Sequence, residues 1–150
     1  MDLSIIIVNW NSRDLLRKCL VSITDTVRTI EYEIVVIDAG SYDGAAEMVR
    51  DEFRSVKFVQ DPANGGFARS NNRAVECSTG DCLLFLNPDT EVLPAAIETM
   101  YGFVVTSPKA GVVGCRLLNT DRTLQTSCIQ SYPTLINQVL NSERLRKLLP

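Results

Sequence analysis

Four short runs of β-branched and apolar residues, each reaching a polar residue at its carboxyl end, constrain this chain more than anything else in it. They are Leu3-Ser-Ile-Ile-Ile-Val-Asn9, Tyr32-Glu-Ile-Val-Val-Ile-Asp38, Val56-Lys-Phe-Val59 with Asp61 two residues on, and Cys82-Leu-Leu-Phe-Leu86 followed by Asn87. Runs of this length and composition read as strands. Between them the spacing turns helical. Leu15, Leu16, Cys19, Leu20 and Ile23 share one face over 14–23, with Asn11 or Ser12 as its cap. A second helix, capped by Asp43, is predicted through Phe53, and a third from about Phe67 to Glu76. Strands alternating with helices at this spacing imply an α/β fold with a mostly parallel sheet and helices on both faces.

The fourth run reads as a strand buried on both faces. Pro88 ends it, because proline cannot donate to a ladder and biases Asn87 away from the helical region. Pro94 opens a further helix carrying Ile97, Met100, Tyr101 and Val104, and 111–118 reads as another strand. Beyond it, 119–123 reads as a turn and 127–132 as irregular. The segment 135–149 reads as a helix whose apolar residues Leu135, Ile136, Val139, Leu140, Leu145, Leu148 and Leu149 need a partner, such as a second copy in a homodimer.

A chain of 150 residues fits one domain, and 22% charged residues with a net charge of −3 give no electrostatic case for nucleic-acid binding. No stretch of eighteen apolar residues and no signal peptide are seen, so a cytoplasmic location is expected. The five cysteines form no CxxC pair and there is no histidine, which leaves few ligand combinations for zinc and removes the commonest general base.

In an open α/β sheet, ligands bind outside the carboxyl ends of the strands. Parallel strands bring four polar groups to that edge: Asn9-Trp10-Asn11, Asp38, Asp61 to Asn64 with Gly65-Gly66, and Asn87 to Asp89. Trp10 offers a plate for a planar base, and Asp38 an acceptor for the imide N–H of a pyrimidine. Asn64 and Asn72 flank a glycine-allowed turn and can brace it or contact a nucleotide. Asn87 and Asp89, at i and i+2 beside a rigid turn, can approach a ribose or a hard cation, and a cation at Asp89 would neutralise a diphosphate. Each residue alone has a plain structural role open to it: Trp10 packed under a loop, Asp38 a turn former, Asn72 an exposed helix position. No G-x-G-x-x-G or GxxxxGK[ST] phosphate loop is present. The convergence carries the weight.

These motifs resemble those of the inverting family 2 glycosyltransferases, which use nucleotide-diphosphate sugars and have the GT-A fold, a Rossmann-like three-layer sandwich. Ser4-Ile-Ile-Ile-Val-Asn-Trp-Asn11 is similar to the family's opening strand and base-framing turn. Ile34-Val-Val-Ile-Asp-Ala-Gly-Ser-Tyr-Asp-Gly44 is similar to its VVDNGSTDG element, and Asn64-Gly-Gly-Phe-Ala-Arg-Ser-Asn-Asn72 to its N-x-G-F loop and helix. Phe85-Leu-Asn-Pro-Asp-Thr90 occupies the D-x-D position. The resemblance implies nucleotide contacts at Asn9, Trp10, Asn11, Asp38, Asn64, Gly66, Asn72 and Asn87, and Mg²⁺ or Mn²⁺ at Asp89. Asn87 replaces the first Asp of D-x-D and brings no charge to the ion. Leu86-Asn-Pro-Asp-Thr90 with Gly114-Cys-Arg-Leu-Leu-Asn-Thr-Asp-Arg-Thr-Leu-Gln125 resembles a bacterial rhamnosyltransferase branch that uses dTDP-L-rhamnose on a cell-surface polysaccharide or lipid-linked acceptor, which would place the enzyme at the inner face of the membrane.

The family's catalytic base is a carboxylate beyond the metal motif, and Glu143, the sole carboxylate after Asp121, has no matching motif. The catalytic residue is therefore unknown. The expected division is a nucleotide-sugar-binding core over 1–118 and the incomplete start of an acceptor-side region over 119–150, so that the chain alone transfers slowly or not at all. Two other readings are open: a nucleotidyltransferase, for which Asn9-Trp-Asn-Ser12 lacks a glycine-rich basic loop, and a non-catalytic binding or dimerisation module.

Overall fold

A computed structural model of the chain describes residues 1–125, which divide into a unit spanning Met1–Val113 and a second beginning at Gly114. In chain order the first unit contains β1 (Leu3–Asn9), α1 (Arg13–Thr26), β2 (Tyr32–Asp38), α2 (Ala45–Glu52), β3 (Lys57–Gln60), α3 (Phe67–Glu76), β4 (Cys82–Leu86) and α4 (Ala96–Thr106). The strands pair in parallel in the order β3-β2-β1-β4. Asn9 stands opposite Asp38, and Asp38 opposite Gln60, so the polar strand ends share one edge as the sequence predicts.

Period-two alternation sorts the strand side chains onto two faces. Ile5, Ile7, Ile34 and Val36 pack with Leu16, Leu20 and Ile23 of α1, Met48 and Val49 of α2 and Ile97 of α4. Ile6, Val35 and Ile37 pack on the other face with Ala74 of α3. The unit is thus a three-layer α/β sandwich.

Two expectations from the sequence are corrected. β4 is not buried on both faces: Leu83 and Phe85 are 40% and 55% exposed. The strand is the outer one beside β1, while α3 packs against β1 and β2, so one face of β4 lies clear of it. Residues 111–118 form no strand. They hold one antiparallel bridge, Leu118 with Leu124, closing a turn in which Asn119 N donates to Thr123 O at 2.8 Å. A ladder needs a partner in register, and among the described residues this apolar run has none. The predicted helix at 135–149, with its dimer contact, and Glu143 lie outside the described residues.

The cap of the first helix also differs from expectation. Ser12 Oγ donates to Trp10 O at 2.9 Å instead of capping α1. The cap comes from the next loop. Asp43 Oδ2 accepts Arg13 N at 2.8 Å and Asp43 Oδ1 accepts Ala45 N at 3.2 Å, so one carboxylate serves the N-termini of α1 and α2. Asp43→Ala removes both, at about 1 kcal/mol each. Thermal unfolding is expected to shift down by about 4–8 °C, and a shift no larger than an exposed substitution gives would contradict the double cap.

At the opposite edge of the sheet, Glu33 Oε1 accepts Ser4 Oγ at 2.7 Å and Thr79 Oγ1 at 2.8 Å, together with Thr79 N. Partial burial raises the Glu33 carboxyl pKa, but these donors, with Lys57 nearby, outweigh it and hold the group below its ordinary 4.5. A carboxylate with a depressed folded-state pKa contributes stability that is present above the unfolded value and lost as pH falls through the folded one. Glu33→Gln is therefore expected to lower the melting temperature at pH 7 and to shrink that difference below pH 4.5. A difference that stays constant across this range would contradict the linkage.

Candidate functional site

The site grows from the four strand ends. β1 finishes at Asn9, which is fully buried and donates through Nδ2 to Asp38 Oδ1 at 2.8 Å and to Ser41 Oγ at 3.2 Å. Asp38, also fully buried, accepts Ser41 N on Oδ2 at 2.9 Å and the Ser41 hydroxyl on Oδ1. A buried carboxylate needs such donors. Gly40 permits the turn between them. Its φ of 77° lies in the left-handed region, and a Cβ there would sit 3.4 Å from Pro62 O.

Asp61 holds the third strand end. It is 5% exposed, pairs with Arg73 at 3.2 Å, accepts Ala63 N on Oδ1 at 3.2 Å, and donates its own N–H to Asp38 O at 2.7 Å. The loop then reaches Gly66 at φ 85°, where α3 begins with no side-chain cap. At the fourth end, Pro88 stops β4 and Thr90 N closes a turn on Asn87 O at 3.2 Å. Below this turn Cys19 Sγ lies 3.8 Å from Asn87 O. Burial pushes the Cys19 thiol up to about 12, with the charge of Asp89 adding to it, so this cysteine is an inert core residue.

Between the strand ends lies an open cleft of about 410 Å³. It is lined by Val8, Trp10, Ser12, Leu15, Ala39, Asn64, Gly66, Phe67, Asn87, Pro88 and Asp89. An apolar lining with a few convergent polar groups is the usual character of a small-molecule site. Trp10 is 59% exposed, and Asn87 and Asp89 are exposed too. The cleft brings together five of the residues singled out from the sequence: Trp10, Asn64, Gly66, Asn87 and Asp89. The other four are elsewhere. Asn9 and Asp38 are buried outside the lining, and Asn11 ties two loops together by accepting Tyr42 N on Oδ1 at 3.0 Å. Asn72 is exposed on α3, about 9 Å along the helix from Gly66 by its rise per residue.

Sequence reasoning passed over Ser41. Its only signal was its place three residues after Asp38, the spacing at which a side-chain hydroxyl folds back on a carboxylate. Phe67 and Leu15 were read as helix residues, and the cleft uses both.

Among the described lining residues Asp89 is the sole ionisable group, and no lysine or arginine joins it. Among the described residues no cluster of three or more His, Cys, Asp or Glu exists. One exposed carboxylate is a hard oxygen donor that suits Mg²⁺ or Mn²⁺ when a ligand's phosphates complete the coordination, and does not by itself make a metal cage.

An open parallel sheet with a cleft across its carboxyl edge defines a Rossmann-like α/β domain of the ligand-binding kind. The chain belongs to glycosyl transferase family 2, which it matches over residues 4–148. It is 34% identical over 102 residues to the uncharacterized glycosyltransferase YibD of Escherichia coli, covering 65% of this chain and 29% of that protein. It is 29% identical over 108 residues to the poly(ribitol-phosphate) beta-glucosyltransferase of Bacillus spizizenii, covering 69% and 17%. It is 32% identical over 126 residues to the O-antigen biosynthesis protein RfbC of Myxococcus xanthus, covering 80% and 10%. The chain thus spans less than a third of the length of each. Among solved structures, S. aureus TarS 1-349 in complex with UDP-GlcNAc superimposes with a TM-score of 0.64 at 24% identity, covering 71% of this chain and 32% of that one. That likeness establishes the GT-A fold.

Proposed function

We propose that this domain binds a nucleotide-diphosphate sugar in the cleft beside Trp10 and forms the donor half of an inverting glycosyltransferase. The observation that carries the reading is the placement of Trp10, Asn64, Gly66, Asn87 and Asp89 around one cleft at the carboxyl edge of the sheet. The base stacks on Trp10. Asn64, Gly66 and the uncapped first turn of α3 face the phosphates, Asn87 the ribose, and Asn72 braces the loop from the helix. Asn9, Asn11 and Asp38 serve the base end by holding the turn that carries Trp10. The carboxylate of Asp38 meets an imide N–H only if the covering Ser41 moves aside.

A bound Mg²⁺ or Mn²⁺ supplies positive charge to the diphosphate as it departs, and Asp89 is the residue that would hold it. The described lining holds no lysine or arginine, and the N–H groups of the first turn of α3 would also face the phosphates. In the reaction an acceptor hydroxyl forms a bond to the anomeric carbon while the bond from that carbon to the diphosphate oxygen breaks. The electron pair leaves with the diphosphate, the configuration inverts, and the hydroxyl proton passes to a carboxylate outside the described residues. The donor we favour is dTDP-L-rhamnose, on the Leu86-Asn-Pro-Asp-Thr90 motif. A surface-polymer or lipid-linked acceptor at the inner face of the membrane is supported by relatives named for O-antigen biosynthesis and for poly(ribitol-phosphate) glucosylation. No helix among the described residues is long and apolar enough to cross a membrane. Residues 119–150 would begin the acceptor side.

Thermal melting tests this reading with UDP and dTDP, each with and without Mn²⁺. A ligand at a hundred times its Kd stabilises the folded chain by about 2.7 kcal/mol. The expected rise needs nucleotide and metal together, since Asp89 alone is too few ligands for the ion. A melting temperature unmoved by either nucleotide with Mn²⁺ would count against the donor site and favour a dimerisation module.

A further inference from the structure

We infer that Ser41, which touches no part of the cleft, is the positioning residue for its base-stacking wall. The inference rests on the donor-site reading for its consequence, but on hydrogen-bond geometry for its origin. A serine hydroxyl has one proton to donate and two lone pairs to accept with. Ser41 uses all three: it donates to Asp38 Oδ1, accepts Asn11 N at 2.8 Å, and accepts Asn9 Nδ2 at 3.2 Å. Trp10 is the residue between those last two donors. One hydroxyl therefore pins the turn on both sides of the indole.

Three further observations single out this hydroxyl. The indole is 59% exposed, so packing does little to orient it and the backbone at 9 and 11 must. Asn11 stands at φ 48°, a left-handed conformation that asparagine adopts more readily than most residues and that hydrogen bonds to its backbone and side chain enforce here. Ser41 Oγ on its N–H and Tyr42 N on its Oδ1 supply that enforcement. Finally, Asn9 Oδ1 is buried without a partner. The orientation of the Asn9 amide thus depends on the two bonds of its Nδ2, one to Asp38 and one to Ser41. Removing the hydroxyl leaves one bond at Asn9 and none at Asn11 N.

The test compares Ser41→Ala and Ser41→Thr with the unaltered chain. Trp10 is the single tryptophan of the sequence, so its fluorescence anisotropy and acrylamide quenching report this turn alone. Ser41→Ala is expected to lower Trp10 anisotropy without ligand, to increase quenching, and to weaken Mn²⁺-dependent UDP or dTDP binding about tenfold, which is about 1.4 kcal/mol. Ser41→Thr keeps the hydroxyl and should restore both. Unchanged Trp10 anisotropy and unchanged affinity in Ser41→Ala would overturn the inference. If the unaltered chain binds no nucleotide, the donor-site reading falls, while the anisotropy comparison still decides whether Ser41 holds Trp10. Should Ser41→Ala fail to fold, Ser41→Cys takes its place: the thiol occupies the same position but is a weak donor and acceptor, so it weakens all three bonds of the hydroxyl. Lowered Trp10 anisotropy there supports the pinned turn, and unchanged anisotropy contradicts it.

Discussion

Asp89→Ala is expected to weaken Mn²⁺-dependent binding of a nucleoside diphosphate by about a hundredfold, roughly 2.7 kcal/mol. The size follows from what the cleft lacks. Its described lining holds no lysine or arginine, so a cation held by Asp89 would supply full positive charge that no lining side chain brings to the two phosphates. Because Asp89 is exposed and no structural hydrogen bond of the fold depends on its carboxylate, folding stability should change by no more than about 0.5 kcal/mol. Asp89→Asn separates charge from shape. It keeps an oxygen at the same place, as Asn87 already does two residues upstream, and should lose nearly as much. If metal-free and Mn²⁺ affinities fall together in either variant, Asp89 is a direct nucleotide contact and not the cation's ligand.

Trp10→Ala should be the second large effect, acting on the base and not on the metal. Stacking of a base on an aromatic side chain is worth about 1–3 kcal/mol by alanine substitution. Affinity for UDP or dTDP is then expected to fall by roughly 5- to 150-fold with the Mn²⁺ dependence preserved. Trp10→Phe, with a smaller plate on the same backbone, should recover part of the loss. Here too the fold is spared, since the indole is mostly exposed and belongs to neither core cluster. An affinity for free diphosphate that drops as much as that for the nucleotide would show that Trp10 shapes the whole cleft instead of receiving the base.

The parts of this molecule legible in its sequence are those governed by short-range rules. β1 and β2 are continuous β-branched runs that every parallel sheet must bury, and they lie where the pattern puts them. β4 ends at Leu86, just before Pro88, which has no N–H to give a ladder and biases Asn87 towards a turn. The helix from Phe67 to Glu76 follows from its glycine-flanked start and its periodicity. Apart from Ser12, which bonds back to Trp10 O, the failures are of long range. Whether Leu83 and Phe85 are covered depends on which strand α3 sits against, and a residue pattern carries no trace of that. Asp43 was read as a cap for α2 alone, yet it also caps α1 across thirty residues, because β1 and β2 are neighbours and their loops leave the sheet side by side. The same adjacency makes Ser41 a hub. Its three partners lie on two strand ends and one loop, and nothing local distinguishes it from any serine in a turn. In the site, the sequence identified the exposed members, Trp10, Asn64, Asn87 and Asp89, by chemistry, and placed Asp38 with them although its carboxylate is enclosed by Asn9 and Ser41.

Calorimetric titration of UDP and dTDP into the chain, with and without Mn²⁺ and in parallel with Asp89→Ala, goes most directly to the donor site. Metal-dependent binding of at least one nucleotide, lost in the variant, is the result expected of a cleft in which Trp10 takes the base and Asp89 the cation. The tighter nucleotide would name the base. Failure of both to bind the unaltered chain, with Mn²⁺ present, would contradict a donor site in this domain.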